Sequence, residues 1–265
     1  MKAIGHIIVI ISLTIVTQIG GLIWIINYSL FKIMKHEKSN WVKLSAFLLI
    51  YILATIAIVP PFAKIGGRVP LPIRKSGNLI PHNIITPLLN RNYVKPHLRN
   101  QLLKIADKVN LSNKKLKVAY LDANFPFIDG FPLLPHLSHK DGRKVDLSFY
   151  YTKDKIEGNY KPSNSGYGIF VEPSISEFNQ AKACKEKGYW KYDYSKYLTL
   201  GSRSDLKFDP ENTKVLVNLI VKDPQTQKLF IEPHLKQRLN LTNNKIRFQG
   251  CHAVRHDDHI HYQIY

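Results

Sequence analysis

Six of the eleven histidines in this 265-residue sequence fall into two short segments. The first reads His136-Leu137-Ser138-His139-Lys140-Asp141-Gly142-Arg143-Lys144-Val145-Asp146. The second reads His252-Ala253-Val254-Arg255-His256-Asp257-Asp258-His259-Ile260-His261. Imidazole nitrogen and carboxylate oxygen are the donors that a borderline divalent ion such as zinc takes, and a catalytic zinc uses three protein ligands and leaves a position open for water. Gly142 permits a turn between His139 and Asp146. His259 and His261 stand two apart, so on a strand they share a face and can look toward one ion. A lone His-x6-Asp or His-x-His arises easily by chance; the two segments together, each with further matched residues, are far more specific. His6, His36, His82, His97 and His234 read as surface or core residues, and His252 is given no role.

The elements that must position these residues are legible in outline. Pro96 suits the first turn of a helix that carries Leu98, Leu102, Ile105 and Val109 at helical spacing. Leu116–Leu121, Val145–Tyr151, Lys228–Glu232 and His259–Tyr265 read as strands. Asp209-Pro210-Glu211 is a helix start, followed by Val215, Leu216, Leu219 and Ile220 on one face, and Pro233 opens a short helix through Leu239. Strands and helices mix without a βαβ rhythm, which predicts an α+β domain with a largely antiparallel sheet.

Ahead of this domain, Ala3–Phe31 carries no charge apart from any on His6, and Leu44–Ala63 carries none. Each run is long enough to cross a hydrocarbon core, which takes about 20 apolar residues. The first is too long for the apolar region of a signal peptide and lacks a cleavage site. The reading is a helical hairpin over 1–64 with spans of about 4–30 and 44–63, a Pro- and Gly-rich linker and lead-in over 65–94, and a folded domain over 95–265 that carries both histidine segments. Between the spans, Lys32, Lys35, Lys38 and Lys43 outweigh Glu37, which places the connector on the cytoplasmic side and the domain outside. The two cysteines, Cys184 and Cys251, then lie in a compartment that permits a disulfide without requiring one.

Hydrophobic residues at 45% with 22% charged exclude a disordered or collagen-like chain. The net charge of +19 is spread along the chain with no arginine-rich block. Anionic lipid head groups or an acidic envelope polymer suit it, and nucleic acid is not expected as a partner.

The pattern His136-x-x-His139-x-x-Gly142-x-x-Val145-Asp146, followed by His256-x-x-His259-x-His261, resembles the penicillin-insensitive murein endopeptidase family. That family belongs to the lysostaphin-like, D-alanyl-D-alanine-peptidase-like and hedgehog-like metallopeptidases. The resemblance runs from about Lys95 to the C-terminus and includes Phe230-Ile231-Glu232-Pro233. It implies an antiparallel-sheet zinc metallopeptidase domain with one Zn2+, held by His139, Asp146 and His261. His259 and His256 would flank the metal-bound water, and His136 would stand nearby. The implied reaction is hydrolysis of D-alanyl–diaminopimelyl cross-links between peptidoglycan stem peptides; combined with the apolar runs, the expectation is a periplasmic domain held at the inner membrane. Two departures stand out. Family members are usually soluble, whereas this chain carries apolar runs. Asp258 lies three residues before His261, where carboxypeptidase and dipeptidase relatives place an acidic base, so it competes with the favoured His259. A D-Ala-D-Ala-type carboxypeptidase and a non-catalytic, metal-containing wall-binding module are the alternatives. Oligomeric state is not legible.

Overall fold

The computed structural model describes residues 2–34 and 38–265. Lys35, His36 and Glu37, which fall in the expected cytoplasmic connector, lie outside the described residues.

The first apolar run is not one span. It forms two shorter helices, α1 (Lys2–Thr17) and α2 (Gly20–Ile33), separated at Gln18, whose φ is 67°. The Thr17 hydroxyl donates to the Leu13 carbonyl and accepts from the Gly20 amide, each at 2.8 Å, so a local turn competes with the helical ladder. A Cβ on Gly21 would overlap Thr14 Oγ1 and lie 2.6 Å from the Ile10 carbonyl, so glycine is what lets α2 return along α1. The return is antiparallel: the Trp24 indole donates to His6 Nδ1 at 3.2 Å.

The second run is one continuous helix, Asn40–Ile65, of 26 residues, whose most apolar 18-residue stretch has a mean hydropathy of 2.4. Among the described residues it is the one helix long and apolar enough to cross a membrane. It comprises α3 (Asn40–Leu53), a π turn (Ala54–Ile58) and α4 (Val59–Ile65). Pro60 and Pro61 have no amide hydrogens to give the turn before them, which accounts for the wider π turn there.

The segment read as a linker carries β1 (Val69–Pro70), β2 (Leu79–Pro81), α5 (Ile85–Leu88) and β3 (Tyr93–Val94). Then come α6 (Pro96–Ser112), β4 (Val118–Tyr120), β5 (Lys144–Ser148), β6 (Tyr151–Lys153) and β7 (Ile156–Gly158). They are followed by α7 (Gln180–Glu186), a 3-10 helix (Trp190–Leu198), β8 (Leu206–Phe208) and α8 (Pro210–Lys222). The chain ends with β9 (Thr226–Phe230), α9 (Pro233–Arg238), β10 (Ile246–Arg247) and β11 (His259–Ile264).

These elements form two compact units. One comprises Met1–Leu71, Ile85–Arg99 and Ala123–Gly142. Ile19, Ile23, Phe47, Tyr51, Val59 and Tyr93 are buried together in it. The Phe127 amide donates to Gln18 Oε1 at 2.9 Å, and the Tyr51 hydroxyl donates to the Leu88 carbonyl at 2.8 Å. The turn between α1 and α2 is therefore tied to the loop 123–142, which is also held by the buried Arg68 through the Phe125 carbonyl and Asp129.

The other unit comprises Pro72–Ile84, Asn100–Asp122 and Arg143–Tyr265. Its six-stranded sheet has the order β10-β9-β11-β5-β4-β2. The three central pairings, β9/β11, β11/β5 and β5/β4, are antiparallel, as the α+β reading requires. Both margins, β10/β9 and β2/β4, are parallel, so the sheet is mixed. Helix α8 begins where expected, with the Asp209 side chain accepting from the Asn212 amide at 3.0 Å, and buries Leu216, Val217 and Ile220. Cys184 and Cys251 form a disulfide that joins α7 to the loop before β11.

Candidate metal centre

Strand register brings Asp146 and His261 together. They are direct partners across the antiparallel β5/β11 pair, and directly opposed residues project to the same face. His261 Nδ1 lies 2.9 Å from Asp146 Oδ1. That distance is a hydrogen bond, and it is also close to the roughly 3.3 Å separating two ligand atoms of one tetrahedral zinc. His259, two residues earlier on β11, shares the face, with Nε2 3.9 Å from Asp146 Oδ2. On the far side of β11 the register places Phe230 opposite His261, and their rings stack with centroids 5.4 Å apart.

His139 follows a loop and is fully buried. Its Nδ1 lies 2.7 Å from the Ala123 carbonyl, which can only accept, so Nδ1 carries the hydrogen and the lone pair sits on Nε2. The His136 ring stands 5.6 Å from that of His139. His136, His139 and Asp146 each offer one ligand atom within 4.8 Å of the others, and this group can hold a metal ion. His136, expected beside the ion, is thus placed as a candidate ligand, while His261 is joined to the group through Asp146.

The competing bases are now distinguishable by their partners. Asp258 Oδ1 lies 2.6 Å from His259 Nδ1, and its Oδ2 accepts from the Gly168 amide at 2.9 Å. Both carboxylate oxygens are engaged in orienting other groups. Burial opposes a charge on His259, but Asp258, Asp146 and Asp257 outweigh it and raise its pKa to about 9. That is well above the value near 7 expected of a free-standing base.

His256 completes an imidazole cluster, its ring 5.0 Å from that of His259 and 5.7 Å from that of His261. Its amide donates to Glu232 Oε1 at 2.9 Å, and its carbonyl accepts from the Glu232 amide at 3.1 Å. Asp257 takes a different part. It pairs with Arg255, whose guanidinium also reaches Asp193 at 2.7 Å and Glu172 at 2.9 Å, and whose carbon stands 4.8 Å from the Phe170 ring centre. Burial pushes Asp257 up to about 7 against the pull of Arg255. His252 packs its ring against Tyr189, centroids 4.6 Å apart.

Two contributors were invisible in the sequence. Tyr167 donates its hydroxyl to Asp146 Oδ2 at 2.8 Å, and Glu232 anchors His256. Glu232 lay within a segment of the family resemblance, but nothing about its type or spacing pointed to a backbone contact 24 residues away. Comparison of the sequence with family models and with curated proteins finds no match.

Proposed function

We propose that this chain is a membrane-anchored, zinc-dependent murein DD-endopeptidase of the penicillin-insensitive type. The observation that carries the reading is the opposition of Asp146 and His261 across β5/β11, with His259 on the same face bonded to Asp258. His139, Asp146 and His261 would hold the ion, and a buried set of two imidazoles and one carboxylate suits zinc or a similar borderline ion. When bound, such an ion supplies Lewis-acid polarisation of a peptide carbonyl and acidifies water.

The chain's own residues do the rest. His259 Nδ1 donates to Asp258, which leaves Nε2 as the atom that exchanges a proton with the reacting groups. His256, fixed at its backbone by Glu232, stands beside His259 to stabilise developing charge or protonate the leaving amine. His136 borders His139 and contributes to the ligand set or to substrate contact. Both Asp258 oxygens are taken up in hydrogen bonds, which favours His259 over Asp258 as the proton-exchanging group; the pKa of about 9 belongs to the ion-free chain, and a cation held beside the imidazole would lower it toward the range a base needs.

Helix Asn40–Ile65 would span the inner membrane, with the domain in the periplasm. The disulfide suits that oxidising compartment. With 16 and 14 residues, α1 and α2 reach about 24 and 21 Å, less than a hydrocarbon core of roughly 30 Å. Because they run antiparallel, the N-terminus and the connector after α2 occupy the same membrane face. In the two-span reading they would occupy opposite faces.

The test is to incubate the full chain in detergent with purified cross-linked muropeptide dimers and read products by mass spectrometry. Conversion of dimers to intact monomers supports the endopeptidase. Loss of a terminal alanine from intact dimers transfers the case to the carboxypeptidase, and unchanged dimers favour a binding module.

A further inference from the structure

Among the described residues, the loop Ser163–Gly168 reaches both halves of the chemistry assigned above. Tyr167 donates its hydroxyl to Asp146 Oδ2 at 2.8 Å, which is not the oxygen that faces His261. The same hydroxyl accepts from the Asp122 amide at 3.2 Å, and the Tyr167 ring stands edge-on to His259, centroids 5.1 Å apart at 84°. One residue on, the Gly168 amide holds Asp258 Oδ2.

The loop is built to keep that geometry. Ser165 Oγ donates to the Thr199 carbonyl at 2.8 Å and accepts from the Tyr167 amide at 3.2 Å, while Ser163 Oγ donates to the Tyr167 carbonyl. Gly166 and Gly168 have φ of 93° and 96°. A Cβ on Gly166 would lie 2.8 Å from Leu121 Cδ2, and one on Gly168 would lie 2.7 Å from Thr199 Cγ2. Only glycine combines those backbone angles with that closeness.

We infer that the Ser163–Gly168 loop is the positioning element of the metal centre: Tyr167 turns Asp146 so that Oδ1 joins His261, and the Gly168 amide fixes Asp258 and through it His259. Tyr167 thus acts through Asp146 as a positioning residue. A carboxylate held at one oxygen presents the other in a fixed direction, and such supporting bonds are worth about 10–100-fold in metal affinity. The inference rests on the metal-centre reading of the preceding section.

The experiment is Co2+ and Zn2+ titration of the detergent-solubilised full chain against a competing chelator, with the Co2+ absorption spectrum recorded at saturation. Tyr167→Phe keeps the ring and removes only the hydroxyl. It is expected to weaken binding about 10–100-fold and to alter the Co2+ spectrum. Ser165→Ala, which removes the brace without touching Asp146, should shift both readouts less in the same direction. A Tyr167→Phe chain that binds Co2+ within about twofold of the parent, with an unchanged spectrum, overturns the inference even if Tyr167→Phe lowers thermal stability. A parent chain that binds no ion, or one matched by Asp146→Ala, brings down the metal centre itself and the positioning role with it.

Discussion

Asp258 and His259, adjacent on the chain, are bonded side chain to side chain, Oδ1 to Nδ1 at 2.6 Å. With its other oxygen on the Gly168 amide, Asp258 is held by two partners, and in the proposed reaction His259 Nε2 would be the proton-exchanging atom. His259→Ala should therefore keep bound metal and lose about 100- to 10,000-fold in turnover, the usual contribution of a general acid or base. Asp258→Asn should also keep metal and lose turnover by leaving the imidazole unsupported. Turnover near the parent value for His259→Ala, with Asp258→Ala inactive, would reverse the assignment; metal content by atomic absorption and steady-state rates decide it.

His139 and His261 differ from His259 in what their loss removes. His139 is fixed by the Ala123 carbonyl, and His261 directly opposes Asp146 across β5/β11. His139→Ala and His261→Ala should lose metal and activity together. Metal retained at parental stoichiometry in either variant would exclude that residue from the ligand set.

His82 provides a pH signature independent of catalysis. Burial, aided by the charge of Lys161, lowers its pKa from 6.5 to about 4. The unfolded chain takes up this proton near pH 6.5 and the folded chain only near pH 4, so the unfolded state binds more protons between them. The stabilising contribution is complete above pH 6.5 and is lost as pH falls toward 4. Chemical denaturation at several pH values should show His82→Gln with a shallower loss of stability across that window; an unchanged slope would contradict the shift.

The Cys184–Cys251 bond closes a separation of 67 residues. Cross-links of this kind contribute about 2–5 kcal/mol, most of it attributed to restriction of the unfolded chain. Reduction, or the Cys184→Ser/Cys251→Ser pair, should lower the thermal midpoint by several degrees. A midpoint unchanged by reductant would show that the bond contributes nothing.

Helices α1 and α2 give a topological prediction. With Cys introduced at Ala3 or at the exposed Ser76, a membrane-impermeant maleimide applied to spheroplasts should label Ser76→Cys and spare Ala3→Cys. Labelling of both from outside would restore the reading in which residues 4–30 cross as one span.

Local periodicity made much of the domain legible. The spacing of Leu98, Leu102, Ile105 and Val109 fixed α6, and the Asp209 cap marked the start of α8, because helix faces and caps are set within a few residues. The alternation at the C-terminus gave β11 and hence the shared face of His259 and His261. Information that depends on distant partners was not available. An apolar run looks the same whether it continues through Gln18 or reverses there, because the reversal depends on Thr17 and on glycines packed against α1. The parallel margins of the sheet depend on crossovers that leave no periodic trace. Tyr167 sits in an irregular Ser- and Gly-rich loop, so nothing local marks it as the partner of a carboxylate 21 residues away. The choice between Asp258 and His259 likewise depended on the Gly168 amide, 90 residues distant.

The central claim is that this chain cleaves a peptide cross-link with a metal ion held at Asp146 and its neighbours. The most direct measurement is the rate at which the full chain converts cross-linked muropeptide dimers to monomers, before chelation, after chelation, and after zinc is returned. The account predicts conversion that stops with the chelator, resumes with zinc, and is absent at every stage in His261→Ala. Conversion that continues unchanged through chelation, or dimers left intact with zinc bound at one equivalent, would contradict it.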